Sequence, residues 1–211
     1  MHTKTPLCDL HTAYIDLDNE STSTSASGEN RLVDCSSMYE PQRSVVDSGR
    51  ETDAVCKVAT ALFSPCTAAL NFGYPSGTPC VAVALNKIYG WLPVKGLSTP
   101  YSFDGNPSVV PEDVEVACMG HEATDRAVLG ELAYLPSQQI SAVYFPFLAQ
   151  TRYRQPLVFV RFVAPPVGQT VAVKCVFAVG DLDTAVAETL GERGVVTPDG
   201  YAVTLFNLRI D

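Results

Sequence analysis

Residues 157–180 read LVFVRFVAPPVGQTVAVKCVFAVG, two apolar runs rich in β-branched and aromatic residues. Such residues favour strands, and each run is interrupted by only one charged side chain, Arg161 or Lys174. This pattern is typical of strands that are buried on both faces. The Pro-Pro-Val-Gly sequence at residues 165–168 predicts a turn that joins the two strands as a hairpin.

Similar short runs, separated by Pro, Gly and Asn, recur along the chain and predict an all-β fold with minor α content, centred on a β-barrel. The expected strands are Ala13–Leu17, Arg31–Cys35, Cys80–Leu85, Ile88–Leu92, Ala142–Phe147, Leu157–Ala164, Val171–Val179 and Ala202–Leu208. The expected helices are few, namely Asp53–Phe63, Glu122–Leu132 and Asp181–Leu190.

With 211 residues, 46% of them hydrophobic, the chain is long enough to bury a core, and we expect one domain over 1–211. Within it, the Ser/Thr-rich residues 19–30 predict a flexible loop. The net charge of −9 disfavours nucleic acid as a partner, because phosphates are repelled. The sequence shows no apolar run long enough for a leader or a membrane span, so we expect no membrane insertion.

The seven cysteines are odd in number and contain no Cys-x-x-Cys pair. This spacing argues against a zinc site and gives no evident disulfide framework. Several cysteines stand among apolar residues, where a free thiol behaves as a small hydrophobe. We therefore expect mostly reduced cysteines in a chain made in the cytosol.

The strongest enzymatic motif is Asp47-Ser48-Gly49, which resembles the active-site turn of aspartic proteases. Two such turns must share a proton, so a protease of this kind would have to be a dimer. The segment before Asp47 lacks the expected apolar hairpin, and we interpret the motif as a plain turn. A dimeric retropepsin-like protease is kept as an alternative.

No other pattern predicts catalysis, a metal or a cofactor, and we expect a protein that is not an enzyme. His121 lies three residues after Cys118, too close for an ordinary Cys-His nucleophile pair, and is better explained as a polar residue at a helix start. The Asp-x-Asp pairs at 16–18 and 181–183 lack the Gly and distal Glu of a calcium loop.

Two groups of residues are candidates for binding a receptor. Loops rich in Gly and Pro carry aromatic rings that either plug the ends of a barrel or form an exposed recognition surface. A basic and aromatic cluster lies in a loop between two strands, where its charges are either simply solvated or bind an acidic group. The candidates are Tyr74, Trp91, Tyr101 and Phe103 in the first group, and Arg152, Tyr153 and Arg154 in the second. A β-sandwich carbohydrate-binding module is a further alternative.

The stretches Tyr89–Gly96 and Ser141–Leu148, set in an acidic and β-rich chain, resemble the spike (projection) domain of astrovirus capsid proteins, of the avian kind. This resemblance implies a barrel-centred spike on the virion surface, synthesised in the host cytoplasm and attached to the remainder of the capsid protein. It also implies a non-enzymatic homodimer that binds a host-cell receptor and carries antigenic sites. The acid-free segment 142–180 would supply part of the dimer face.

Overall fold

Strands dominate the computed structural model, which describes residues 31–33, 35, 54–58, 60–94, 111–149, 153–180 and 201–211. The strands are β1 (Arg31–Val33), β2 (Ala54–Cys56), β3 (Cys80–Ala84), β4 (Val114–Gly120), β5 (Leu132–Leu135), β6 (Gln139–Ile140), β7 (Leu157–Phe162), β8 (Thr170–Val179) and β9 (Tyr201–Arg209). The helical elements are one α-helix, α1 (Ala123–Val128), and the 3-10 segments η1 (Thr60–Phe63), η2 (Ala68–Ser76) and η3 (Ala142–Tyr144). No helix in the described part of the chain has the length and apolarity needed to cross a membrane.

The described strands form three sheets. A three-stranded antiparallel sheet has the order β3-β7-β5, and a four-stranded antiparallel sheet has the order β6-β4-β8-β9. The short strands β1 and β2 pair in parallel, apart from the other two sheets.

The two larger sheets face each other across one hydrophobic core. Val158, Val160 and Phe162 of β7 lie in the same buried cluster as Val171 and Val173 of β8. Alternate residues of a strand point to opposite faces, so this shared cluster defines the inner faces of a β-sandwich. The all-β class is confirmed, but the described strands show two packed sheets and no closed barrel.

The predicted hairpin over 157–180 is wrong. β7 pairs with β3 and β5, whereas β8 pairs with β4 and β9, so the two strands belong to different sheets. The turn at 165–168 therefore connects one sheet to the other. Alternation showed that both strands are buried, but it could not show that they meet across the core and not side by side.

Segment 142–180 lacks acids because its two long strands are buried inside the chain. β7 is the middle strand of the three-stranded sheet, and β8 is an inner strand of the four-stranded sheet. Both are almost entirely buried within the chain itself. An ionised carboxylate would be costly in such a position, so the segment is apolar without serving as a dimer face.

Of the three predicted helices, one is absent, one is shorter than predicted and one is not tested. Residues 53–63 form β2 and η1, because Ala54–Cys56 pairs with β1 and Cys56 is bonded to Cys35. The helix predicted at Glu122–Leu132 is α1, which ends earlier because Leu132 begins β5. Asp181–Leu190 lies outside the described residues.

The strand predictions succeeded mainly in the core. Predicted strands near β1, β3, β7, β8 and β9 are confirmed, with shifts of one or two residues at their ends. Ile88–Leu92 and Ala142–Phe147 contain only a bridge between Tyr89 and Phe147 and the 3-10 segment η3. Ala13–Leu17 and the whole loop at 19–30 lie outside the described residues.

Three disulfides hold the described chain together, so the prediction of reduced cysteines is wrong. They join Cys35 to Cys56, Cys66 to Cys80, and Cys118 to Cys175. Cys118 and Cys175 are directly opposite in the β4–β8 register, with their Cα atoms 4.0 Å apart. The pairings follow from proximity in the folded chain, which the irregular sequence spacing does not show.

Candidate interaction surface

A packed aromatic cluster underlies two of the predicted receptor residues. Trp91 lies edge-on to Phe145 with ring centroids 5.3 Å apart, and Phe147 lies 5.0 Å from Tyr153. Trp91 and Tyr153 are 7% and 6% exposed, so little of either side chain is open to solvent. Their rings fill the interior between the segments around residues 88 and 145, and of the two positions considered for Trp91 the structure shows the buried one.

The polar atoms of this cluster are also occupied. The Tyr153 hydroxyl donates to the Tyr144 carbonyl oxygen at 3.1 Å, and burial raises the pKa of the Tyr153 phenol. The Lys87 ammonium lies 5.5 Å from the Phe147 ring centroid and 5.8 Å from that of Tyr153, within range of cation–π attraction. The remaining space of about 10 Å³ is too small for a ligand.

The other predicted receptor residues are scattered. Arg154 is partly buried, and among the described residues its buried Nε atom has no hydrogen-bond partner. Tyr74 is exposed on η2. Tyr101, Phe103 and Arg152 lie outside the described residues. The binding role of these residues therefore stays a prediction, and the described ones do not form one surface.

Cys118 and His121 do not form a catalytic pair. Cys118 is bonded to Cys175 and so has no thiol. His121 precedes a capping box, in which the Glu122 and Asp125 side chains satisfy each other's backbone N–H groups at the start of α1. Asp125 also accepts from the Ala172 backbone N–H at 3.2 Å, which fastens α1 to β8.

The described residues contain no cluster of three or more His, Cys, Asp or Glu side chains suited to a metal. The acidic pairs at 16–18 and 181–183 and the Asp47 turn lie outside those residues. The predictions made for them are therefore not addressed by the structure.

The most exposed apolar side chains of one segment form what we call the η1–η2 surface: Leu62, Leu70 and Tyr74. Their exposed fractions are 58%, 54% and 45%. Exposed apolar residues grouped on one segment, with an aromatic among them, are typical of protein contact surfaces. Sequence analysis found Tyr74 but missed both leucines, because single leucines among Ala, Pro and Thr carry no pattern.

Aromatic contacts and a disulfide attach the segment that carries the η1–η2 surface to the three-stranded sheet. Phe63 and Phe72 pack on Phe159 of β7, with ring centroids 5.3 Å and 5.7 Å apart. The Cys66–Cys80 disulfide ties the segment to β3. These contacts anchor the segment, while Leu62, Leu70 and Tyr74 remain exposed to solvent.

The chain reverses direction tightly between the two halves of η2. Asn71, Phe72 and Gly73 all have positive φ, and Gly73 lies against the backbone of Thr78 so closely that a Cβ atom would overlap its carbonyl oxygen. Only glycine fits such a position. Leu70 and Tyr74 lie on either side of this reversal in sequence.

Comparison with known proteins identifies relatives. The family described as "Sodium / potassium ATPase beta chain" matches residues 11–194. The sodium/potassium-transporting ATPase subunit beta-1 of Drosophila melanogaster is 36% identical over 140 residues, covering 59% of this chain and 43% of the relative. A probable sodium/potassium-transporting ATPase subunit beta-3 of Caenorhabditis briggsae is 31% identical over 147 residues, covering 64% and 42%.

The potassium-transporting ATPase subunit beta of Rattus norvegicus is more distant, at 24% identity over 150 residues, covering 68% of this chain and 47% of the relative. The chain thus spans less than half the length of the curated relatives it matches.

These matches overturn the resemblance to astrovirus spikes, which rested on two short aromatic stretches without a defined motif. The expected virion location, capsid homodimer and host-cell receptor fall with it, because each was implied by the resemblance alone. The protease and carbohydrate-binding alternatives gain no support either. Since the family match extends over most of the sequence, the chain belongs to the sodium/potassium ATPase beta chain family.

Proposed function

We propose that this chain is a non-catalytic accessory subunit of a sodium/potassium-transporting ATPase and that it binds the alpha subunit of the pump on the non-cytoplasmic side of a membrane. The observation that carries the proposal is the family match over residues 11–194. The relatives are named as beta subunits of transporting ATPases.

The disulfides support a location of this chain on the non-cytoplasmic side of a membrane. Six cysteines of the described chain are paired in three disulfides. Such bonds persist in the lumen of the secretory pathway and outside the cell, and they are rare in the reducing cytosol. Each disulfide also joins separate parts of the fold, so the domain depends on an oxidising compartment to reach this structure.

The η1–η2 surface supports a protein partner. Leu62, Leu70 and Tyr74 are exposed on a segment that the Cys66–Cys80 disulfide and the Phe159 contacts make rigid. A rigid apolar surface loses little conformational entropy on binding. We assign this surface as one contact with the alpha subunit.

Co-expression tests the pairing. The chain, given an export signal, is expressed with the alpha subunit encoded in the same genome, and the alpha subunit is precipitated from detergent-solubilised membranes. We expect the chain in the precipitate. If a folded, exported chain with intact disulfides is never recovered with the alpha subunit, the proposed function is wrong.

A pair of variants tests the surface. Leu70→Asp with Tyr74→Asp should reduce recovery about tenfold or more, because burying unpaired carboxylates in an interface is costly. The matched control is Val167→Asp, since Val167 is 74% exposed on the connection between the two sheets. Equal recovery of both variants would show that the η1–η2 surface is not the contact, while leaving the pairing itself intact.

Thiol labelling tests the compartment. In the exported chain, Cys35, Cys56, Cys66, Cys80, Cys118 and Cys175 should resist alkylation until a reductant is added. A chain that accumulates folded in the cytosol with these thiols reactive would contradict the assigned location.

A further inference from the structure

A pocket lies between η2 and the outer face of the three-stranded sheet. Its volume is about 330 Å³, which is in the range of small-ligand sites. Pro65, Leu70 and Pro75 line its apolar part, and Ser76, Thr78 and Arg161 line its polar part. The pocket is separate from the aromatic cluster around Trp91.

Arg161 supplies the positive charge of the pocket. It lies on the middle strand β7, where its register partners are Cys80 and Ala133. Its neighbours Val160 and Phe162 are fully buried in the core, so strand alternation directs Arg161 to the outer face. Among the described residues no carboxylate forms an ion pair with Arg161, although the same face carries Glu131 next to β5.

Within the part of the chain that the structure describes, most of the Arg161 guanidinium remains available to a ligand. Nη2 donates to the Thr78 hydroxyl oxygen at 3.4 Å. A guanidinium has five N–H donors in a planar fork, so about four remain. This single contact orients the group without neutralising it.

The protons of the neighbouring Ser76 and Thr78 hydroxyl groups are already used in hydrogen bonds. Ser76 donates to the Gly73 carbonyl oxygen at 2.9 Å, and the Ser76 and Thr78 hydroxyl oxygens lie 2.9 Å apart. Because Thr78 accepts from Arg161 and the Ser76 proton goes to Gly73, the Thr78 proton points to Ser76. The guanidinium is therefore the main donor left in the pocket, and it suits a ligand group that only accepts hydrogen bonds.

From this arrangement we infer that the pocket binds a carboxylate attached to an apolar body, with the carboxylate on Arg161 and the apolar part against Leu70, Pro65 and Pro75. Carboxylate oxygens match the guanidinium fork in a bidentate pair. A cationic ligand is repelled by Arg161, and a fully hydroxylated one leaves the apolar walls unmatched. Leu70 also belongs to the η1–η2 surface, so the inference is made for the chain free of a protein partner.

N-acetyl-leucine is the probe, and calorimetric titration of the full chain is the measurement. N-acetyl-leucinamide has the same body without the charge, so it isolates the carboxylate. We expect the amide to bind about tenfold or more weakly than the acid, since a hydrogen bond to a charged group is among the stronger ones. N-acetylneuraminate, a carboxylate on a hydroxylated ring, should also bind more weakly than N-acetyl-leucine.

Three variants test whether N-acetyl-leucine binds in this pocket. Arg161→Gln should weaken N-acetyl-leucine binding about tenfold and abolish the difference between acid and amide. Leu70→Ala should weaken the acid and the amide by the same factor, because it removes only apolar contact. Arg209→Gln is the matched control, since Arg209 pairs with Asp211 at the end of β9, outside the pocket, and binding should not change.

Several results would overturn the inference: no binding of the acid at millimolar concentration, equal binding of acid and amide, or unchanged binding in Arg161→Gln. Tighter binding of N-acetylneuraminate would overturn the apolar part of it. If Arg161→Gln does not fold, the comparison of acid with amide still decides the question in the unaltered chain.

Discussion

Removing the Cys118–Cys175 disulfide should destabilise this domain more than removing any other disulfide of the described chain. The bond joins facing residues of β4 and β8 inside the four-stranded sheet, and Cys175 is completely buried. It spans 57 residues of sequence, compared with 14 for Cys66–Cys80 and 21 for Cys35–Cys56. The perturbation is the double variant Cys118→Ala with Cys175→Ala.

The magnitude follows from loop closure in the unfolded chain. For a loop of this length, the chain-entropy relation gives about 14 cal/mol/K, or about 4 kcal/mol at 25 °C. The Cys66–Cys80 loop gives about 3 kcal/mol by the same relation. The difference of about 1.2 kcal/mol depends only on the ratio of loop lengths. Loss of two buried sulfur atoms at 118 and 175 adds to it in the same direction.

Urea unfolding followed by tryptophan fluorescence is the assay, because Trp91 is buried in the same core cluster as Cys118 and Cys175. The variant pairs Cys118→Ala/Cys175→Ala and Cys66→Ala/Cys80→Ala are compared with the parent chain, each with its own fitted m-value, because removing a disulfide also expands the unfolded chain. A loss below about 1 kcal/mol for the first pair, or a larger loss for the second pair, would refute the loop-closure reasoning.

Two further predictions concern a buried phenol and a turn. Because burial raises the pKa of Tyr153, the unfolded chain should lose its phenol proton first, so stability should be level below about pH 10 and fall above it by up to about 1.4 kcal/mol per pH unit. In urea unfolding between pH 9 and 11, Tyr153→Phe should show a shallower fall, and equal slopes would contradict the assignment. Gly73→Ala should lower the free energy of unfolding by about 2 to 5 kcal/mol, because the new Cβ would overlap the Thr78 carbonyl oxygen at a positive φ. Its control Gly77→Ala, at a similar φ with open space around it, should cost about 1 kcal/mol by thermal unfolding, and equal losses would show that the overlap does not matter.

Prediction from sequence worked where one local rule decides. β7 and β8 are unbroken runs of β-branched and aromatic residues, and both were located because strand preference and burial agree along them. β4 was not among the predicted strands, although Val114 and Val116 alternate with Glu115 and Ala117. The sequence left open whether Trp91 is buried or exposed, because Gly and Pro around a ring indicate a turn without showing which way the ring points.

The pocket around Arg161 was harder to predict from sequence than the strands, because it depends on the tertiary structure. Arg161 is the one charged residue of β7. It lines a pocket because η2, which lies more than eighty residues earlier in the chain, packs beside it. The cysteines misled in the same way, because an odd count concealed three pairs that are close only in space.

The sequence by itself determined the all-β class, the central strands and the acid-free character of the segment that forms them. These are properties of local periodicity, and periodicity is carried by neighbouring residues. The tertiary structure alone decided which sheet each strand joins, which cysteines pair, and that an apolar turn covers Arg161. Those features are contacts between segments far apart in the chain, and their free energy arises from burial that no single segment can achieve.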